Sequence, residues 1–272
     1  MKESEKNRLK SRYGTWALVT GASSGIGKEI AVQLASAGFN LILTARRKPL
    51  LDELAKTLSQ TCRVKVQTIS ADMAEERDVQ LLIEYAKAFE IGLAVLNAGF
   101  GTSGKFLNAS LETELNMLDV NCASLLSLTH HFARRFSEQG RGGIILMSSL
   151  VGFQGVPNAA HYAATKGYVL SLGEALAVEL KPNGVDVLVA APGPVETGFA
   201  ARANMKMNGA LKAKDVSLSI LEALGRTDVV LPGTLTKLLI YSLRTVPRWA
   251  KVRIMNLVMG GMTKHQTLST HA

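Results

Sequence analysis

The fold is decided by the stretch Trp16-Ala17-Leu18-Val19-Thr20-Gly21-Ala22-Ser23-Ser24-Gly25-Ile26-Gly27. Its first five residues are an apolar run that predicts a strand, and residues 26–37 have the pattern of a helix. A glycine-rich turn between a strand and a helix lets the backbone approach a pyrophosphate, which then rests on the helix N-terminus. The spacing here is GxxxGxG rather than the commoner GxGxxG, so a tight turn that merely needs small residues remains an alternative.

The same alternation of short apolar runs and amphipathic stretches continues along the chain. Further strands are predicted at 41–44, 64–69, 93–96, 144–147 and 185–190, and helices at 49–59, 75–90, 111–136 and around Tyr162. Near-continuous apolar strands that alternate with helices indicate a parallel sheet covered on both faces. Right-handed crossovers then give a single doubly wound, Rossmann-type α/β sheet. We predict one catalytic domain over residues 14–233.

The net charge of +9 on 272 residues is concentrated at the two ends of the chain. Residues 1–13 hold five Lys/Arg against two Glu, and residues 229–272 hold six Lys/Arg and no acid. We therefore predict a basic N-terminal tail over 1–13 and a basic helical extension over 234–272. A neutral central domain argues against a nucleic-acid enzyme. The N-terminus lacks a secretory signal and no run of eighteen apolar residues exists, which favours a cytoplasmic protein.

The end of the second predicted strand is basic. Arg46 and Arg47 stand where many NAD-binding folds carry an acid for the ribose 2′-hydroxyl, and the first acid that follows is Asp52. A planar guanidinium suits a 2′-phosphate, which an acid would repel. A basic loop in solvent is the alternative. The segment therefore predicts NADP(H) rather than NAD(H) as the cofactor.

Three polar residues have a spacing that suits proton transfer. Tyr162 and Lys166 are four residues apart, so they share one face of a helix, and Ser149 follows the predicted strand at 144–147. A strand end and a helix face can bring a phenol, an ammonium and a hydroxyl together. Such a site can reduce a carbonyl or oxidise an alcohol. A tyrosine four residues before a lysine also occurs by chance in many helices.

The chain resembles the short-chain dehydrogenase/reductase family over residues 16–232. It carries, in the family's order, TGASSGIG at 20–27, Asn97-Ala98-Gly99, Asn121, Ser149, Tyr162-x-x-x-Lys166, and Pro192-Gly193 followed by Thr197. The resemblance implies a catalytic tetrad of Asn121, Ser149, Tyr162 and Lys166, with Tyr162 as general acid or base. A Lys166 ammonium at about 4 Å would lower the pKa of that phenol by electrostatic attraction. The resemblance implies that Asn121 interrupts its helix to hold a water. It also implies cofactor contacts from Gly21, Ser23, Ser24, Gly25, Ile26, Gly27, Arg46, Arg47, Asp72, Asn97, Ala98, Gly99, Tyr162, Lys166, Pro192, Gly193, Val195 and Thr197. No cluster of Cys, His and Asp in the sequence suggests a metal site.

The opening residues 12–21 are similar to the branch of 17β-hydroxysteroid dehydrogenases and long-chain 3-oxoacyl-CoA reductases. This similarity implies an NADP(H)-dependent oxidoreductase that acts on a lipophilic ketone or secondary alcohol. The alternative is a catalytically silent NADP-binding regulator or scaffold of the same fold. Two features depart from the family: Leu96 replaces an asparagine, and the C-terminus lacks the usual tetramer-forming end. A homodimer is therefore expected.

The C-terminal extension is predicted to form two helices, 235–244 and 248–259, separated at Pro247. Basic residues flank an apolar face that includes Trp249 and Met259. Such a helix suits an anionic membrane interface or a lid over an apolar substrate. Packing on the body or on a second subunit is an equal alternative. We expect the segment 235–260 to be the part that could contact a membrane.

Overall fold

Seven parallel strands form the central sheet of the computed structural model, which describes residues 1–206, 209–243 and 245–268. The strands, in chain order, are β1 (Trp16–Thr20), β2 (Asn40–Ala45), β3 (Val66–Ser70), β4 (Ile91–Leu96), β5 (Gly142–Met147), β6 (Val185–Ala190) and β9 (Val229–Val230); β7 (Val195–Glu196) and β8 (Leu211–Lys212) form a separate pair. The order across the sheet is β3-β2-β1-β4-β5-β6-β9. The predicted doubly wound sheet is confirmed.

Helices connect the strands and cover both faces of the sheet. They are α1 (Glu3–Tyr13), α2 (Gly25–Ser36), α3 (Lys48–Cys62), α4 (Glu76–Ala86), α5 (Leu111–Leu118), α6 (Ser124–Gln139), α7 (Ala160–Glu179), α8 (Phe199–Arg202), α9 (Ala213–Ala223), α10 (Thr234–Ser242) and α11 (Arg248–Leu268). The single helix predicted over 111–136 is divided, because a π-helical turn at Asp119–Ala123 separates α5 from α6.

The core consists of two apolar layers, one on each face of the sheet. Successive strand residues alternate between them: Leu41 and Leu43 belong to one layer, and Ile42 to the other. Leu96, which replaces the family's asparagine, is buried in the second layer. Burial of the strands on both faces explains why they are apolar throughout instead of alternating.

The N-terminal segment is a helix and not the tail that its charge pattern predicted. Leu9 and Tyr13 of α1 are fully buried. The Tyr13 hydroxyl donates to Asp186 Oδ2 at 2.7 Å, and Arg12 holds both oxygens of the same carboxylate at 2.6 and 2.8 Å. Arg8 donates to the backbone carbonyl of Leu224 at 2.8 Å. The basic residues of this segment therefore dock it on the sheet instead of leaving it in solvent.

The C-terminal extension forms two helices, α10 and α11, as expected, but α11 continues to Leu268, nine residues past the predicted end at 259. Arg244, at the end of the first predicted helix, and residues 269–272 lie outside the described residues. Met255 and Met259 of α11 join a third apolar cluster with Val156, Ala159, Ala163, Ala203 and Met205. Within the described ranges, no helix is both long and apolar enough to cross a bilayer.

Candidate active site

A cavity of about 810 Å³ lies at the carboxyl ends of the central strands. The chain turns in opposite directions after β1 and β4, so the connections on either side of this point leave a crevice between them. The glycine turn and Arg46 line one end of the cavity, and α10 and α11 line the other. One end is therefore polar and basic, and the other is apolar.

The glycine turn is packed against the residues that follow β4. Gly21 and Gly25 have φ of 68° and 58°, which favours glycine. A Cβ atom on Gly27 would lie 2.4 Å from Asn97 Nδ2. That amide donates to the Thr20 carbonyl at 3.0 Å, and Thr20 Oγ1 accepts from the N–H groups of Asn97 and Ala98 at 2.9 Å. The glycine turn after β1 and the segment after β4 are therefore hydrogen-bonded to each other, and Asn97 fixes the shape of the turn.

Anion-binding groups gather where this turn meets the end of β2. Arg47 donates to the hydroxyls of Ser23 and Ser24 at 3.0 and 2.9 Å, and Arg46 lies 3.5 Å from the Asp72 carboxylate. No side chain of the described residues caps the N-terminus of α2. Exposed guanidinium groups beside uncapped backbone N–H groups fit the phosphates of a dinucleotide.

Tyr162, Lys166 and Ser149 meet at the wall of the same cavity. The first two are buried on α7, and Lys166 Nζ lies 5.9 Å from the centroid of the Tyr162 ring. Lys166 donates to the Met147 carbonyl at 2.9 Å. Ser148 donates to the Lys166 carbonyl at 2.7 Å, which commits its hydroxyl to holding β5 against α7. Ser149 is therefore the serine whose hydroxyl is available beside Tyr162.

Burial controls the protonation of both groups on α7. It raises the pKa of Tyr162 to about 12, and a hydrogen bond with Ser149 acts in the opposite direction. It lowers the pKa of Lys166 to about 8. The predicted lowering of the Tyr162 pKa by Lys166 is wrong for this structure, because desolvation dominates and the ammonium is directed at the Met147 carbonyl.

Asn121 lies in the π-helical turn between α5 and α6 and is fully buried. Its Nδ2 donates to the Phe100 carbonyl at 2.8 Å and to Thr165 Oγ1 at 3.0 Å, while its Oδ1 accepts from the Phe100 N–H at 3.0 Å. A Cβ atom on Gly99 would lie 2.9 Å from that Oδ1 and 3.2 Å from Lys166 Nζ. The interrupted helix thus brings Asn121 beside Lys166, and the side chain ties α7 to the segment after β4.

The segment after β6 closes the cavity on its other side. Pro192, Gly193, Val195 and Thr197 all line it. A Cβ atom on Gly25 would lie 3.1 Å from Thr197 Cγ2, so this segment touches the glycine turn. All of the sequence-predicted site residues except Gly27 and Asn121 line the one cavity, and these two pack directly behind its wall.

Several cavity residues were not found from the sequence. The Phe199 ring lies 5.4 Å from the Tyr162 ring, and the Arg202 guanidinium lies 4.2 Å over the Phe100 ring. Leu239, Ile254 and Val258 line the apolar end. The helical spacing of Met255, Met259 and Met262 was a usable signal for this wall, but nothing local tells which face of α11 meets the cavity.

The family model described as short chain dehydrogenase matches residues 15–208. The chain belongs to the short chain dehydrogenase family. It is 31% identical over 233 residues to a 7beta-hydroxysteroid dehydrogenase of Clostridium sardiniense, covering 84% of this chain and 89% of the relative. It is 36% identical over 185 residues to a very-long-chain 3-oxoacyl-CoA reductase of Neurospora crassa, covering 66% of this chain and 56% of the relative.

A solved member of the short chain dehydrogenase family supports the same assignment. It is the short-chain dehydrogenase from Sphingobium yanoikuyae in complex with NADPH, with a TM-score of 0.79 and 30% identity over 84% of this chain and 92% of that chain. The predicted family and the predicted oxidoreductase class are confirmed. The NADP(H) prediction agrees with the cofactor of this neighbour.

Proposed function

We propose that this short chain dehydrogenase uses NADP(H) to interconvert a ketone and a secondary alcohol on a lipophilic substrate. One observation carries the proposal. The buried Tyr162 and Lys166 lie with Ser149 in the wall of one cavity, between its basic end and its apolar end. A group that can donate a proton thus lies where a polar cofactor and an apolar substrate would meet.

The basic end supports NADP(H) as the cofactor. Arg46 is expected to bind the 2′-phosphate, with Arg47 and the uncapped N-terminus of α2 at the other phosphates. Asp72 would contact the adenine, Lys166 the nicotinamide ribose, and the segment from Pro192 to Thr197 the nicotinamide amide. When bound, NADPH supplies the hydride that adds to the carbonyl carbon.

The proton for the carbonyl oxygen comes from Tyr162. A pKa raised to about 12 keeps this phenol protonated through neutral pH, so it is ready to act as a general acid. The Ser149 hydroxyl can hydrogen-bond to the same oxygen and orient it. The reverse reaction, oxidation of an alcohol, would use the ionised phenol as the base. Asn121, in the interrupted helix beside Lys166, would hold a water that relays protons from Lys166 to solvent.

The apolar end supports a lipophilic substrate. Phe199 and the residues of α10 and α11 supply aromatic and aliphatic walls, and methionines adapt to irregular apolar shapes. The named relatives are a hydroxysteroid dehydrogenase and a long-chain oxoacyl-CoA reductase, both of which fit this class. A steroid-like, 3-oxoacyl or other long-chain carbonyl is therefore proposed.

The test is the loss of NADPH absorbance with a panel of steroid and long-chain ketones. Tyr162→Phe should lower kcat by two orders of magnitude or more, since general acid catalysis contributes roughly 10²–10⁴-fold. Tyr85→Phe, whose hydroxyl contacts Gln67 on the surface, is the matched control and should keep full activity. Equal turnover by Tyr162→Phe would refute the tyrosine mechanism. NADPH binding without turnover of any ketone would favour the catalytically silent scaffold.

We also propose a homodimer. Exposed apolar side chains occur along α5, α6 and α7, namely Leu111, Leu115, Leu118, Leu126, Tyr168 and Val178. Leu118, Leu126 and Tyr168 line one shallow groove between these helices. A contiguous apolar surface of this kind is typical of a protein interface.

A peripheral contact with an anionic membrane through residues 235–260 is likewise proposed. Leu238, Tyr241, Trp249 and Leu257 are 59–78% exposed. No acid follows Asp228 in the sequence, whereas each basic residue near an anionic lipid surface contributes about 1 kcal/mol.

A further inference from the structure

The helix α11 has two halves of different character. Its C-terminal half is bound to two loops of the body by polar contacts. The Met262 carbonyl accepts from the Lys206 N–H at 3.0 Å, and His265 Nε2 hydrogen-bonds to Asn204 Oδ1 at 2.9 Å. Gln266 Nε2 donates to Ser103 Oγ at 2.9 Å and to the Asn204 carbonyl at 2.7 Å. This half is held in place at one side of the cavity.

The N-terminal half of α11 presents apolar and basic groups to solvent. Trp249 and Leu257 are 63% and 78% exposed, and the Arg253 guanidinium lies 5.1 Å over the Trp249 ring. Tryptophan and arginine side chains of this kind are enriched where a protein meets lipid headgroups. We call this surface, together with the exposed Leu238 and Tyr241 of α10, the apolar–basic face.

The cavity opens onto the apolar–basic face. Leu239 of α10 and Ile254 and Val258 of α11 line the cavity, yet they are 37–44% exposed. They are therefore the rim of its mouth. On the inner side of α11, Met255 and Met259 pack against the body. Methionine contacts are adaptable, so this wall can rearrange at low cost.

Two glycines, Gly260 and Gly261, separate the two halves. Each costs a helix roughly 0.5–1 kcal/mol relative to alanine. No heavy atom of the described residues would lie within 4 Å of a Cβ atom added to either one, so close packing does not require them. The glycine pair weakens α11 between its fixed C-terminal half and its adaptable N-terminal half, so the helix can bend there.

We propose that the apolar–basic face docks on an anionic bilayer and that the substrate passes from the bilayer directly into the cavity. The substrate enters through the mouth between α10 and α11, and α11 bends at Gly260–Gly261 to admit it. Residues 229–272 hold basic residues and no acid, which complements the negative charge of such a bilayer. The inference rests on the proposed function in taking the apolar end of the cavity as the substrate site. It adds the source of the substrate and the moving element.

Docking and substrate transfer are measured separately in one sample. Trp16→Phe leaves Trp249 as the sole tryptophan, because the chain has two. The vesicles contain phosphatidylcholine, phosphatidylglycerol and a nitroxide-labelled lipid that does not leave the bilayer. Quenching of Trp249 reports docking. A pyrene-labelled long-chain methyl ketone, quenched in these vesicles, regains fluorescence when it enters the protein.

If the protein takes the probe directly from the bilayer, the transfer rate rises with vesicle concentration. If the probe first passes through water, the transfer rate does not depend on vesicle concentration. The double variant Gly260→Ala, Gly261→Ala should dock normally but transfer the probe several-fold more slowly. Leu257→Glu should lose both docking and the dependence on vesicle concentration. Leu81→Glu on α4, also an exposed leucine, is the matched control and should behave as the parent protein.

Three outcomes overturn the inference: a transfer rate independent of vesicle concentration in the parent protein, normal transfer by the double alanine variant, or no uptake of the probe. The double variant should fold, because alanine fits both positions and favours the helix. Reduction of cyclohexanone without vesicles separates the two proposals. If cyclohexanone reduction depends on Tyr162 but the probe is not transferred as predicted, the proposed function is supported and the membrane route is refuted.

Discussion

Lys166 lies beside Tyr162 at a cost to the stability of the folded protein. Its buried ammonium has a pKa lowered from 10.5 to about 8, so the unfolded chain binds more protons than the folded one between these values. The free energy of unfolding therefore rises with pH in that window. Below pH 8 the cost of burying the charge is fully present.

Lys166→Met is thus expected to stabilise the protein while abolishing activity. At neutral pH the gain should be roughly 2 kcal/mol, allowing for the Met147 carbonyl that loses its donor. The gain should shrink as the pH approaches 10. Urea unfolding of the wild type and the variant at neutral pH and near pH 10 checks this. A variant that is less stable than the wild type at neutral pH would contradict it.

At the residue scale, the proposed preference for NADP(H) depends on Arg46. Arg46→Ala should weaken NADPH binding roughly ten- to a hundredfold, since a charge-assisted hydrogen bond contributes about 1.5–3 kcal/mol. It also leaves Asp72 without this ion pair, and that carboxylate would repel a 2′-phosphate. Binding of NADH should not weaken. Titration with both cofactors is the measurement, with Lys48→Ala as control, and equal loss for both would refute the assignment.

At the scale of elements, α1 is part of the domain although its sequence is basic. Leu9→Ala should lower the free energy of unfolding by roughly 2–5 kcal/mol, as for other buried leucines. Lys6→Ala, on the same helix and in a partly exposed ion pair with Glu3, should change it by less than about 1 kcal/mol. Urea denaturation distinguishes a docked helix from a free tail, for which both variants would be neutral.

At the scale of the whole molecule, the exposed leucines of α5 and α6 predict the assembly. The wild type should have the mass of two chains by light scattering. Leu126→Arg should give the mass of one chain, because a charge in an apolar interface is not solvated. Leu81→Arg, at an exposed leucine on α4, should remain a dimer. A monomeric wild type would refute the interface.

The amino-acid sequence by itself determined six of the seven strands of the sheet and most of their connections; only the short edge strand β9 was not predicted. Apolar runs and helical periodicity are local signals, so β1 and β6 were predicted with the bounds that the structure has. The motif order gave the family and the residues of the candidate site, because each motif marks the end of a strand or the face of a helix.

Only the tertiary structure decided the properties that depend on surroundings. The direction of the Tyr162 pKa follows from its burial, which spacing along a helix does not report. The docking of α1 depends on Asp186, distant in the chain, and the apolar end of the cavity depends on which face of α11 meets the body. Desolvation and long-range packing are sums over residues from many segments, so no local pattern contains them.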